Sequence, residues 1–296
     1  MDDLQRRQFL RLSTCGGVVF ASALFPSRGI RAAAEVEDFH FVQLSDLHWG
    51  YAGPENPDAR GTLPKAIAAV NALDVAPDFI VFTGDLTHTT DDPLERRKRL
   101  GEVRAMTGDL KVKALRFMPG EHDASLDAGR AFTEFFGPTH HTFDHKGVHF
   151  IVLDNVSDPA ARLGDAQLAW LADDLRRQPA DARIVVFTHR PLFDLYPQWD
   201  WATRDGQRAI DLLATRPDVA VFYGHIHQEH HRMTGPVAHH SAMSLMFALP
   251  APGSQPRRTP LPWDPAQPYK GLGWREVDAQ PGKAQYALTG MPIVRG

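Results

Sequence analysis

Residues 39–48 read FHFVQLSDLH. Six of them form an apolar run of strand length, and Asp46 and His48 follow at its exit. Other runs end in the same way. Residues 78–83 (DFIVFT) lead into Gly84-Asp85, and residues 115–118 (LRFM) lead into Pro119-Gly-Glu-His-Asp123. Residues 183–188 (RIVVFT) reach His189, and residues 218–223 (DVAVFY) reach Gly224-His-Ile-His227. A single Asp at a strand end is usually a turn former or a helix cap. Five such ends in order need another account, because turn chemistry has no use for so much histidine.

Helical patterns separate the runs, at 60–74, 91–106, 126–136, 164–177 and 203–215. In the stretch 164–175, Leu168, Leu171 and Leu175 share one face. Strand–helix alternation predicts a layered α/β fold with largely parallel central strands. In such folds ligands bind at the C-terminal strand edges. Asp46, His48, Asp85, Glu121, His122, His189, His225 and His227 are therefore expected to converge. The alternate spacing of Asp46 with His48, and of His225 with His227, predicts that each pair lies on one side of an extended segment.

The 296 residues are 43% hydrophobic and 23% charged, a globular composition sufficient for one sizeable core. Near the N-terminus, Arg6-Arg7 precedes an apolar stretch, residues 15–25, and the small residues Ala32-Ala33-Ala34. This pattern predicts a Tat signal peptide over residues 1–34, cleaved before Glu35, with the alternative of an uncut N-terminal anchor. The expected partner in export is the Tat translocase, and the expected location is periplasmic or otherwise exported. The remaining chain, 35–296, is read as one domain, with a Pro-rich loop at 250–270 and a C-terminal hairpin at 271–296; no stable membrane span is expected in it. Removing residues 1–34 leaves 27 basic and 34 acidic residues, a net charge of −7. An acidic chain without a basic stripe argues against nucleic-acid binding. The one cysteine, Cys15, falls within the signal, so the metal donors left are carboxylates and the 15 histidines. Those donors suit Mn, Fe or Zn.

The ordered set Asp46-Leu-His48, Gly84-Asp85, Gly120-Glu-His-Asp123, His189 and Gly224-His-Ile-His227 resembles the calcineurin-like metallophosphoesterase signature across residues 40–230. Residues 143–154 and Gln167-Leu-Ala-Trp-Leu171 resemble the bacterial cyclic-nucleotide-phosphodiesterase-like branch of that family. The resemblance implies a four-layer α/β/β/α sandwich and a small-molecule phosphate ester as substrate, with a diester favoured. It also implies a dinuclear centre of two divalent metal ions. Asp46, His48 and His227 would hold one ion. His189, His225 and Glu121 would hold the other, and Asp85 would bridge them. A metal-bridging hydroxide would attack phosphorus. His122 would stabilise the transition state or protonate the leaving oxygen, and Asp123 would orient His122, with a simple helix N-cap as its alternative.

Glu121 departs from the pattern, because the family usually has Asn there. A carboxylate adds a negative charge and loses an amide donor. It could tighten the second ion, repel phosphate dianions in favour of diester monoanions, or leave a metal-binding protein with little catalysis. A dinuclear hydrolase acting on a non-phosphate bond is a further alternative. His88 is expected to line the pocket. Trp199 and Trp201 could either line a nucleobase pocket or plug the core, and the Pro-rich loop could cap the site or run over the surface.

Overall fold

Phe39, Phe41, Phe79, Phe150, Phe187 and Phe222 meet in one buried layer. Their rings interlock edge to face, as in Phe41–Phe187 (5.8 Å, 90°) and Phe79–Phe150 (5.2 Å, 83°). The computed structural model describes residues 37–280 and 286–293; the expected signal segment lies outside the described residues. The phenylalanine layer is the seam between two sheets.

The first sheet contains β1 (Phe39–Leu44), β2 (Phe79–Thr83), β3 (Leu115–Met118), β10 (Gly273–Ala279) and β11 (Ala287–Pro292), in the order β11-β10-β1-β2-β3. β1, β2 and β3 are parallel, and the hairpin β10–β11 joins antiparallel at β1. The second sheet contains β4 (His141–His145), β5 (Val148–Val152), β6 (Arg183–Phe187), β7 (Val219–Tyr223), β8 (His230–Thr234) and β9 (Val237–Ser241), in the order β4-β5-β6-β7-β9-β8. β5, β6, β7 and β9 are parallel. The central strands are buried on both faces, which is why β2, β6 and β7 read as continuous apolar runs.

Helices α1 (Ala59–Asn71), α2 (Pro93–Thr107) and α4 (Arg130–Phe136) follow the strands of the first sheet. Leu63, Ile67, Val103 and Phe132 pack from them onto Val42, Leu44, Ile80 and Phe82. On the second sheet, α5 (Gly164–Arg177) and α6 (Gly206–Leu213) pack Leu168, Leu171, Ala209 and Ile210 onto Ile184, Val186 and Val221. The layers are therefore α/β/β/α.

Several boundaries differ from the sequence reading for local reasons. α2 starts at Pro93 because Asp92 caps it, its carboxylate accepting from Leu94 N at 2.8 Å. The helix expected from 126 starts at Arg130, because Ala128 and Gly129 have φ of 55° and 73° and break the helical path. β4 and β5 turn through Lys146 and Gly147, both at positive φ, the geometry of a two-residue hairpin loop. Trp199 and Trp201 belong to the core of the second sheet, 5% and 0% exposed, and so act as the plug, not as a pocket wall.

His149, on β5, ties its sheet to α5. Its Nδ1 lies 2.6 Å from Asp144 Oδ1 and its Nε2 2.8 Å from Asp174 Oδ2. Burial opposes its charge, but Asp174 and Asp144 prevail and hold its pKa above the ordinary 6.5. The stabilisation is complete below that value and is lost as pH rises through the raised one. Melting temperatures from pH 6 to 9 should fall more steeply for the parent chain than for His149→Gln, whose profile lacks this component.

Candidate metal centre

Two groups of donors meet at the C-terminal edges of the strands. Asp46, His48 and His227 form one, and Asp85, Glu121, His189 and His225 the other; within each group the donor atoms lie within 4.8 Å of one another. Asp46 and His48 follow β1, and Asp85 follows β2. Glu121 opens α3 (Glu121–Ala124) just after β3, while His189 follows β6 and both His225 and His227 follow β7. The two sheets thus each bring donors to a single place. Every residue expected to converge does so.

The local backbone is not extended, contrary to the reading of the two alternate-spaced pairs. Asp46, His48, Asp85, His225 and His227 have φ of 53°, 43°, 49°, 67° and 55°. Left-handed geometry costs an L-residue about 1–2 kcal/mol each. Neighbouring contacts hold it: His48 N donates to Asp85 O at 2.8 Å, Asp46 N to Gly84 O at 3.1 Å, and Ser244 Oγ to Asp46 O at 2.8 Å. His225 N donates to both oxygens of Asp46, each at 3.1 Å. Strain of this kind, fixed by the surrounding structure, gathers at functional sites.

The histidines are oriented by hydrogen bonds behind them. His189 Nδ1 donates to Thr83 O and His227 Nδ1 to Phe247 O, each at 2.7 Å. In both, Nε2 is then the nitrogen that faces inward. His48 Nε2 lies 3.1 Å from His227 Nε2. Burial, together with His122, His227 and His88, holds the His48 pKa well below 6.5. Asp85 Oδ2 lies between the groups, 3.6 Å from His48 Nε2 and 3.4 Å from His189 Nε2. Glu121 reaches His189 Nε2 with Oε2 and His225 Nδ1 with Oε1, both at 2.8 Å. Burial opposes the Glu121 charge, yet His225 and His189 hold its pKa well below 4.5.

Glu121 Oε2 and His189 Nε2 lie 2.8 Å apart, and both are buried without a hydrogen-bond partner. With the His189 hydrogen on Nδ1, two acceptors face each other there, as donors aimed at a common cation do. Carboxylate and imidazole donors also match the hard to borderline divalent ions. The residues fit a metal centre.

His122 and Asp123 diverge from each other. His122 Nδ1 accepts from Thr89 N at 3.1 Å and also touches Thr89 Oγ1. Its Nε2 therefore carries the hydrogen and faces the cavity, 3.8 Å from Asp85 Oδ2. Asp123 does not orient His122. Its carboxylate accepts from Gly120 N, Leu86 N, Thr87 N and Thr87 Oγ1, at 2.8–2.9 Å, and ties the loop after β2 to the start of α3. Burial, followed by the Asp85 charge, raises its pKa to about 6. His88 stacks its ring on that of His122 (5.2 Å, 26°) and, with His48 and His122, forms a third set of possible donors.

The cavity over the centre measures about 160 Å³, and Phe247, Arg258 and Pro260 line it beside the donors. The Pro-rich loop thus reaches the site. Phe247 stacks on His48 (5.0 Å, 26°) and lies tilted against His227 (4.6 Å, 37°). The sequence reading missed Phe247, Arg258 and Thr89 as individual residues; the proline content of the loop was the one signal available.

The sequence profile of the calcineurin-like phosphoesterases matches residues 39–229. A probable cyclic nucleotide phosphodiesterase of Rhodococcus erythropolis is 30% identical over 214 residues, 67% of this chain and 68% of the relative. A cAMP/cGMP dual specificity phosphodiesterase of Mycobacterium tuberculosis is 30% identical over 203 residues, 64% of this chain and 62% of the relative. The serine/threonine-protein phosphatase CPPED1 of Danio rerio is 29% identical over 217 residues, 64% of this chain and 70% of the relative. A dimetal phosphatase from Danio rerio shares the fold at a TM-score of 0.60 and 12% identity, covering 86% of this chain and 96% of that one. The chain belongs to the calcineurin-like phosphoesterase family, an enzyme family of phosphoric ester hydrolases.

Gly120 offers a test of the centre that substitutes no donor residue. A Cβ there would lie 2.0 Å from Asp85 Oδ1 and 2.1 Å from Asp85 N. Gly120→Ala should displace Asp85 and lower the metal bound per chain, measured by inductively coupled plasma mass spectrometry, with the far-UV circular dichroism unchanged.

Proposed function

We propose that the chain is a metal-dependent phosphodiesterase with a dinuclear centre, exported by the Tat route. The observation that carries this reading is the pair of adjacent donor groups with Asp85 Oδ2 between them. Asp46, His48 and His227 would hold one divalent ion, and Glu121, His189 and His225 the other, with Asp85 shared. Ions held there supply Lewis acidity to phosphate oxygens and lower the pKa of water enough to give a nucleophile near neutral pH.

The chain's own residues supply the rest. Hydrogen bonds to Thr83 O and Phe247 O keep His189 and His227 aimed inward. His122 presents its Nε2 hydrogen to the cavity and can donate a hydrogen bond to the leaving ester oxygen as charge builds there on P–O cleavage. Phe247 and Pro260 cover part of the centre and limit water there.

Glu121 favours diesters. Relative to the usual Asn, it lowers the charge of the site by one, which suits a monoanionic diester better than a dianionic monoester. The names of the relatives from Rhodococcus erythropolis and Mycobacterium tuberculosis agree with a diester, and CPPED1 points to a monoester instead. Export is supported by Arg6-Arg7 ahead of the apolar stretch.

The test is hydrolysis of bis-p-nitrophenyl phosphate by the Mn²⁺-loaded protein. Asp85→Ala should lose more than the roughly 10–100-fold typical of an outer-shell change. A metal-loaded parent without turnover would instead mark a binding protein with little catalysis. For Glu121→Asn, the ratio of p-nitrophenyl phosphate to bis-p-nitrophenyl phosphate turnover should rise. An unchanged or lower ratio would remove the repulsion argument.

A further inference from the structure

The segment from Phe247 to Leu272 lies outside residues 39–229, which carry the family pattern. It lines two cavities that share Phe247. The first is the cavity over the donors, where the segment contributes Arg258 and Pro260. The second, about 430 Å³, continues along the same stretch, with Leu261, Pro262 and Trp263 in its wall. Leu261 N donates to Ala248 O at 2.9 Å and pins the stretch beside Phe247.

The second cavity has the character of a ligand seat. Its volume falls in the range of small-molecule sites, roughly 300–1,000 Å³. Trp263 is 39% exposed there, whereas Trp199, Trp201 and Trp274 are at most 5% exposed. An indole left in water beside a catalytic cavity offers a flat π face for stacking. Asp264, Gln267 and Lys270 supply acceptors and donors around the apolar wall. That mixture suits a heteroaromatic ring, which needs a face to stack on and an edge to hydrogen-bond. A lipid tail would leave those polar groups unused, and a glycerol-sized group would leave the indole unused. At the junction, Arg258 has no ion pair among the described residues, so its guanidinium is available to a phosphate oxygen.

We propose that the cavity between Phe247 and Trp263 is the subsite for the organic group of the ester, that it takes a flat heteroaromatic group such as a nucleobase, and that Arg258 contacts the phosphate end. This rests on the phosphoesterase reading and adds to it the class of ester and the residues that select it.

Binding of adenosine 5′-monophosphate and of ribose 5-phosphate separates the two poles, because these ligands differ only in the base. Isothermal titration calorimetry on the whole, Mn²⁺-loaded chain should show adenosine 5′-monophosphate binding roughly tenfold tighter or more, as base–aromatic stacking implies. Trp263→Ala should bring it down to the affinity of ribose 5-phosphate and leave the latter unchanged. Trp263→Phe should keep most of the preference, and Arg258→Met should weaken both ligands alike. Equal affinities in the parent, or a preference that survives in Trp263→Ala, would overturn the subsite. Bis-p-nitrophenyl phosphate hydrolysis on the same samples keeps the two readings apart. Hydrolysis without a base preference sinks the subsite alone. A Trp263-dependent base preference without hydrolysis leaves the subsite standing and sinks the phosphoesterase reading.

Discussion

Two buried carboxylates set the terms for the rest of the molecule. Asp46 and Asp85 are at most 1% exposed, and Glu121 joins them from a partly buried position. Taking a carboxylate out of water costs several kcal/mol unless charge or hydrogen bonds compensate. Backbone N–H donors offset part of this, from His225 to Asp46 and from His122 to Asp85. The four imidazoles of the two groups face the same space, and acids with imidazoles form a donor set that suits divalent cations.

That cluster explains features that would otherwise look costly. Five residues of the centre have left-handed backbone, and the strain is borne because the two sheets grip the loops from both sides. The grip depends on the phenylalanine seam. Phe41 on β1 touches Phe187 on β6 and Phe222 on β7, so the strands that deliver Asp46, His189 and His225 are packed ring against ring a few residues before the site. The four-layer arrangement is therefore also the device that fixes donor positions. Asp123 serves the same end by joining the loop after β2 to α3, which keeps Asp85 and Glu121 in step.

Much of this was legible in the chain. The strand bodies are apolar because parallel strands in a two-sheet sandwich are buried on both faces, and their ends carry ionisable residues because those ends form the crevice. That pattern alone singles out the seven residues of the two groups and His122 as converging, while the ligand roles expected of them come from the family resemblance. The expectation that Asp123 orients His122 fails, because a carboxylate beside a histidine in sequence has two sets of partners within reach, and four N–H and O–H donors from Gly120, Leu86 and Thr87 outcompete one ring. Trp199 and Trp201 had the same ambiguity, settled by packing against the outer face of the second sheet.

The sequence by itself determined what is periodic or local: the strand–helix alternation and the kinds of donor available. Tertiary structure decided the contents of the wall around those donors. Phe247 stacks on His48 from 199 positions away, and Arg258 and Trp263 reach the same region from a proline-rich stretch without a repeating pattern. Periodicity reports only which face of its own element a side chain occupies. Which distant loop comes to lie over that face depends on the packing of the whole chain, and no short window of sequence carries it.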